Sequence, residues 1–278
     1  DAISEKIIPE ILKELDPHSV YLPPEELKEA DEGLQGNFDG IGITFNVPSD
    51  TLVVISVLAG GPSETVGLVA GDRIVEIDGR NVAGVKFPQD SMMKMLRGTS
   101  GTKVNIKVRR DGELVDFQIV RGKIPIKSVD VAYMLNDTTG YIKLSKFSKS
   151  SYLEFLQSTV KLRAAGMKKL VFDLRDNPGG YLDQALYLSN EFLKKDQIIV
   201  YMQGLHRERQ DFKAPGNGLC QDLELVVLIN ENSASSSEIF AGAIQDNNRG
   251  LIVGRRSYGK GLVQEPIYFS DNSGIRLT

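Results

Sequence analysis

The chain has 278 residues, of which 41% are hydrophobic and 25% charged, the make-up of a globular protein with enough apolar material for one large core or two smaller ones. A net charge of −4 argues against nucleic acid as a partner, since that would want a basic face. The single cysteine, Cys220, excludes an internal disulfide and any cysteine-built metal cluster, and no apolar run reaches the ~18 residues of a membrane span. Asp1 opens directly into a helical pattern without an initiator methionine, and "DNSGIRLT" stops in what reads as a strand. Both ends therefore read as trimmed, and the missing export signal carries little weight.

Residues 1–36 form the first segment, and it reads as helical. Ile3, Ile7, Ile8, Ile11, Leu12 and Leu15 make one apolar stripe. Pro17, Pro23 and Pro24 interrupt it in "LDPHSVYLPPEEL", and a second helix is expected after Pro24. Residues 37–122 have a different texture. "FDGIGITFNV", "TLVVISVL", "DRIVEIDG", "KVNIKVRRDG" and "LVDFQIVRG" read as short strands separated by glycines and Asp-Gly turns. Two short helices are expected among them, "GPSETVGL" and "PQDSMMKML", the second with Met92, Met95 and Leu96 on one face.

Residues 123–278 alternate strand and helix. "TGYIKLSKF", "KKLVFDLRD", "DQIIVYMQG", "LELVVLINE" and "GLIVGRRS" read as strands, with helices at "SYLEFLQSTVKLRAAG", "YLDQALYLSNEFL" and after the serines of "ENSASSSEIFAGAIQDNNRG". Continuous apolar runs such as "LVVLI" are those of buried strands in an α/β fold. "HRERQDFKAPGNGLCQD" reads as an exposed polar loop.

Four serines in five positions before an apolar helix admit two readings. Ser235 and Glu238 have the spacing of a capping box, and a nucleophile could equally sit there. The glycines of "FDLRDNPGGYL", at a strand-to-helix turn, either make a plain turn or aim backbone N–H groups into an oxyanion site. Gly254 and Gly259-Lys260 approach a P-loop, but Gly261 stands where the magnesium-binding Ser or Thr would be, and a strand is expected next. His18 and His206 lie in no motif that presents them to the serines, and Cys220 has no evident base. Serine with lysine is what remains. An ordinary lysine is charged at neutral pH, but desolvation brings it down to roughly 7–8, where it serves as a base. Apolar strands on either side of "GKG" could supply that burial.

"LDPHSVYL", "GIGITF", "GYIKLSKF", "DLRDNPGGYL", "SASSSEIFAGAIQD" and "GKGLVQ" occur in an order that resembles the carboxyl-terminal processing peptidases, or tail-specific proteases, over nearly the whole chain. The resemblance implies an α/β crotonase-like (ClpP/crotonase-type) protease core with an inserted β-rich PDZ domain and an N-terminal helical segment. It implies a serine endopeptidase with Ser235 as nucleophile, Lys260 as base and Gln264 orienting the lysine. If the strand continues past Lys260, Lys260 and Gln264 share a face. The oxyanion hole would come from the N–H of Ser236 and one from the Gly179–Gly180 turn, while Ser233 or Asn232 caps the helix. Ser236 stands where many relatives have alanine, with little effect expected.

In the PDZ domain, N–H groups around Gly40, Ile41 and Gly42 would hold a free C-terminal carboxylate, with the peptide added as a strand along "GITF". Ile41, Ile43, Met92 and Leu96 would line the pocket for its last side chain. Implied partners are protein or peptide substrates with free C-termini, with room for an activating partner, and no cofactor or metal. The implied place is the bacterial periplasm or another extracytoplasmic compartment. The alternative is a non-catalytic relative. The retinoid-binding repeats of interphotoreceptor matrix share such a core, and a hydrophobic-ligand or peptide-binding scaffold would look much the same.

Overall fold

The computed structural model describes residues 4–278, so Ile3 of the expected N-terminal stripe lies outside the described residues. The chain divides into two compact units: one holds the residues up to 36 together with 127–278, and the other holds 37–126.

The larger unit begins with α1 (Ser4–Lys13), β1 (Val20–Leu22) and α2 (Pro24–Gln35). Leu12 of the expected stripe is buried, but Ile7, Ile11 and Leu15 are more than half exposed, so that stripe does not face this unit's core. Pro24 stands at the first turn of α2, where its missing N–H costs nothing, and Gly36 ends the helix at φ 75°.

The smaller unit contains β2 (Asn37–Gly40), β3 (Ile43–Asn46), β4 (Leu52–Val57), α3 (Pro62–Thr65), β5 (Arg73–Ile77), β6 (Arg80–Asn81), α4 (Gln89–Leu96), β7 (Lys103–Arg110), β8 (Glu113–Val120) and β9 (Gly122–Pro125). "FDGIGITFNV" is two strands rather than one. Gly42, at φ 75°, turns the chain between them, which sends β2 to pair with β9 while β3 opens the main sheet. That sheet runs β3-β4-β5-β7-β8, which leaves β3 at an edge. Alternating residues of its strands, with Met92 and Leu96 of α4, build a core of Leu52, Val54, Ile74, Ile77, Val104, Val108 and Ile119.

The larger unit resumes with β10 (Val129–Met134), β11 (Thr139–Leu144), α5 (Ser151–Ala164), β12 (Lys169–Asp173), α6 (Leu182–Asn190), β13 (Ile198–Gly204), β14 (Arg207–Lys213), β15 (Glu224–Ile229), α7 (Ser236–Asp246), β16 (Leu251–Gly254), β17 (Glu265–Tyr268) and β18 (Gly274–Leu277). Its sheet runs β10-β11-β12-β15-β16, parallel except for β10. Phe155, Phe172, Phe192 and Phe240 meet at tilted to edge-on angles with centroids 5.1–5.9 Å apart. The Phe172–Phe240 contact packs α7 on β12 and so fixes where the serine segment lies.

The segment expected as a polar loop contains β14, which pairs with β13 as a hairpin. Six of the seven residues of β14 are exposed, so no alternation of apolar residues marks it as a strand. A second sheet, β1-β18-β17, joins the N-terminal segment to the strand that follows Lys260.

Candidate active site

The serine segment lies where the chain leaves β15 and enters α7, beyond the carboxyl end of a parallel strand, the usual place for a site in such sheets. Three of its hydroxyls are buried and tied to main-chain groups. Ser233 Oγ donates to Leu174 O at 2.8 Å and accepts from the Asn230 N–H at 2.9 Å. Ser236 Oγ donates to Gly180 O at 2.9 Å, and Ser237 Oγ to Asn177 O at 2.9 Å. Ser235 is the exception: it is only half-buried and lines a cleft of about 590 Å³. Its backbone is held at φ 54°, ψ −113°, a conformation that a side-chain-bearing residue adopts only under constraint and that recurs at functional turns.

The cap of α7 is Ser235 itself, rather than Ser233 or Asn232 as expected. Its N–H donates to Glu238 Oε2 at 2.9 Å. Ser233 is instead held inside by the bonds that shape the turn.

Glu238 does more than cap. Its carboxylate also accepts the Lys260 N–H at 2.9 Å, the Gly259 N–H at 2.6 Å and Ser257 Oγ at 2.7 Å. Burial alone would push this carboxyl up; the donors from Ser257, Gly259, Ser235 and Lys260 outweigh it and hold the group below the usual carboxylate range. One ionised side chain thus fastens the main chain of Ser235 to that of Lys260, and the sequence showed only its capping-box spacing.

Lys260 lines the same cleft as Ser235. Its Nζ donates to Gln264 Oε1 at 2.7 Å, and Gln264 Nε2 donates to His18 O at 2.8 Å. The expected strand does not carry this pair. Residues 261–264 are irregular and β17 starts at Glu265, so an irregular path brings the two side chains together. The same path has no helix after the lysine, which removes the phosphate-binding element a P-loop needs.

The "NPGG" turn packs against the serines. A Cβ on Gly179 would lie 2.9 Å from both Ser235 Cβ and Ser236 N, and one on Gly180 would lie 2.1 Å from Phe147 O. Both glycines have positive φ, 96° and 150°. Gly179 N–H is committed to Asn177 Oδ1 at 2.9 Å. The N–H groups of Gly180 and of Ser236, at the first position of α7, make no hydrogen bond among the described residues. The Ser236 hydroxyl, for which little effect was expected, braces the Gly180 peptide.

The cleft's apolar lining includes Ile198, Val200, Tyr201, Ile239 and Ala243, with Asp246 and Asn247 beside them and Arg209 stacked 4.1 Å over the Tyr201 ring. Cys220 is fully buried, and burial first, then Glu191, pushes its thiol up to about 12, which leaves it unreactive. His206 is exposed in the turn between β13 and β14, and His18 meets the site through its carbonyl.

In the smaller unit, Ile41 O accepts both the N–H and Oγ of Ser63, at 3.1 and 2.7 Å, and Gly42 O accepts the Leu58 N–H at 2.9 Å. With the carbonyls held this way, the N–H groups of Ile41 and Gly42 make no hydrogen bond among the described residues. Gly40 pairs with Gly122 in the β2–β9 ladder. Ile41, Met92 and Leu96 are 3%, 0% and 4% exposed and belong to the unit's core, with Ile43 half-buried against it.

Residues 138–278 match the family model of Peptidase family S41, which is half of the chain. The chain belongs to peptidase family S41. Residues 40–120 of this S41 chain match the PDZ domain model. It is 35% identical over its whole length to a Staphylococcus aureus relative named "Probable CtpA-like serine protease", and 34% identical over 99% of its length to the Staphylococcus haemolyticus protein of the same name. The chain spans 56% and 55% of those two relatives. Among solved structures, it is similar to the photosystem II D1 C-terminal processing protease, at 29% identity and a TM-score of 0.57, covering all of this chain and 76% of that one. The fold is therefore that of an S41 peptidase with a PDZ domain. No helix among the described residues is long and apolar enough to cross a membrane.

Proposed function

We propose that this S41 protein is a serine endopeptidase that captures unstructured C-terminal tails with its PDZ domain and hydrolyses them by a Ser235–Lys260 mechanism. Ser235 Oγ attacks the scissile carbonyl carbon as its proton passes to Lys260 Nζ. The negative oxygen that forms is received by the N–H groups of Ser236 and Gly180, aided by the N-terminal end of α7. Lys260 returns the proton to the departing amine, and water then releases the acyl group by the same route. Gln264 keeps the lysine side chain in place. The observation that carries this reading is that one half-buried serine, on a constrained backbone, lines the same cleft as a lysine.

Capture of the tail rests on the Ile41 and Gly42 N–H groups and on the open edge of β3, where an extended peptide adds as a strand. The terminal side chain would pack where Ile41, Ile43, Met92 and Leu96 meet, by displacing the deformable Met92. The parallel β11-β12-β15-β16 sheet with its helices fits a crotonase-like core over 123–278, with a 1–36 helical segment and a 37–122 PDZ insertion. An extracytoplasmic place of action, implied by the resemblance of the sequence motifs, goes with this reading.

The test is hydrolysis of a peptide with a free apolar C-terminus by the intact protein. Cleavage that disappears in a folded Ser235→Ala variant is the expected result. Unchanged cleavage by that variant removes Ser235 from the chemistry.

A further inference from the structure

The lysine side chain is held through a glutamine, and that glutamine is held by main chain from the far end of the sequence. Lys260 Nζ donates to Gln264 Oε1 at 2.7 Å, so the amide presents its oxygen to the lysine and turns its nitrogen away. The Gln264 amide nitrogen then needs an acceptor, and the acceptor is the carbonyl of His18, 2.8 Å away. The orientation of the amide is thereby fixed from both sides.

The position of that carbonyl is set by Asp16. Its Oδ1 accepts the N–H of His18 at 2.7 Å and of Ser19 at 2.8 Å, and its Oδ2 accepts the Ser19 hydroxyl. Such a side-chain-closed turn fixes the peptide planes it encloses. The chain then enters β1, where Val20 pairs with Arg276 of β18, and Leu277 of β18 pairs with Glu265 of β17. Val20 follows the turn directly and Glu265 follows Gln264, so one end of the β1-β18-β17 sheet sets the spacing between the His18 carbonyl and the Gln264 amide.

We propose that the Asp16–Ser19 turn is a positioning element for the lysine: Asp16 sets the His18 carbonyl, the carbonyl sets the Gln264 amide, and the amide holds Lys260 Nζ at the cleft. His18 acts through its main chain, and its imidazole takes no part. This rests on the reading of Lys260 as the base.

A double-mutant cycle on the intact protein tests it, with kcat and KM measured on a peptide that the wild type cleaves. Asp16→Ala should lower kcat about tenfold and leave KM within about twofold, because a loosened turn misplaces the base without touching the peptide. In a Gln264→Ala background the same substitution should cost nothing further, since its only route to the lysine is gone. His18→Ala should keep kcat within about twofold. If Asp16→Ala does not fold, Ser19→Ala, which removes one bond to the Asp16 carboxylate, takes its place with a smaller loss that also vanishes in the Gln264→Ala background. Losses that multiply in the double variant, or a folded Asp16→Ala and Ser19→Ala with full kcat, overturn the proposal. A wild type whose hydrolysis does not depend on Lys260 instead overturns the reading of the base, and the inference falls with it.

Discussion

Glu238 is the side chain on which the two halves of the site converge. Four donors reach it, two of them from Gly259 and Lys260. Glutamine at this position keeps one acceptor oxygen and adds a donor, so at least one main-chain N–H loses its partner. Glu238→Gln should lower stability by about 2 kcal/mol at neutral pH, the scale of a hydrogen bond to a charged group. It should also slow hydrolysis, because the main chain at Gly259 or at Lys260 is freed. The pH dependence has a definite sign. The carboxyl is depressed in the folded state, so its contribution is complete above the usual carboxylate range and is lost as pH falls through the lowered folded value. Urea titrations at pH 7 and pH 3 should therefore show the gap between wild type and variant narrowing at pH 3. A gap that widens there would contradict the assignment.

At the scale of elements, the "NPGG" turn and the start of α7 form one unit of structure. Gly180→Ala puts a methyl 2.1 Å from Phe147 O on a backbone at φ 150°. The turn must move, at about 1–3 kcal/mol in stability, and hydrolysis should fall about a hundredfold or more as the Gly180 N–H leaves its position. A thermal melt and a rate measurement on this one variant check both. What was legible in the sequence here was local. Serines before an apolar helix, paired glycines after a strand and a lysine between glycines each carry a short-range signal. Other features left none. The three buried hydroxyls read no differently from Ser235 until their partners in other segments are known. Glu238 announced a cap, but its grip on Gly259 and Lys260 depends on how the chain returns after β16. The acceptor for Gln264 is a carbonyl, a group every residue has, and it lies 246 positions away. The hairpin strand β14 was missed because an exposed ribbon needs no apolar alternation.

At the scale of the whole molecule, each unit has a core of its own, and the smaller should fold without the larger. Residues 37–126 expressed alone should unfold cooperatively and bind a peptide with a free C-terminal carboxylate. Amidation of that peptide should weaken binding by about 1.5–3 kcal/mol, the value of a charged acceptor at the Ile41 and Gly42 N–H groups. Equal calorimetric affinities for acid and amide would rule out carboxylate capture. In the larger unit, Ser235 and Lys260 share a cleft that no histidine lines among the described residues. The most direct measurement is the hydrolysis rate of Lys260→Arg beside wild type, with both proteins shown to be folded. Arginine keeps the charge and much of the reach but does not give up its proton in a protein. Loss of cleavage as complete as in Lys260→Ala is the predicted result; substantial cleavage by the arginine variant would contradict the assignment of Lys260 as the base.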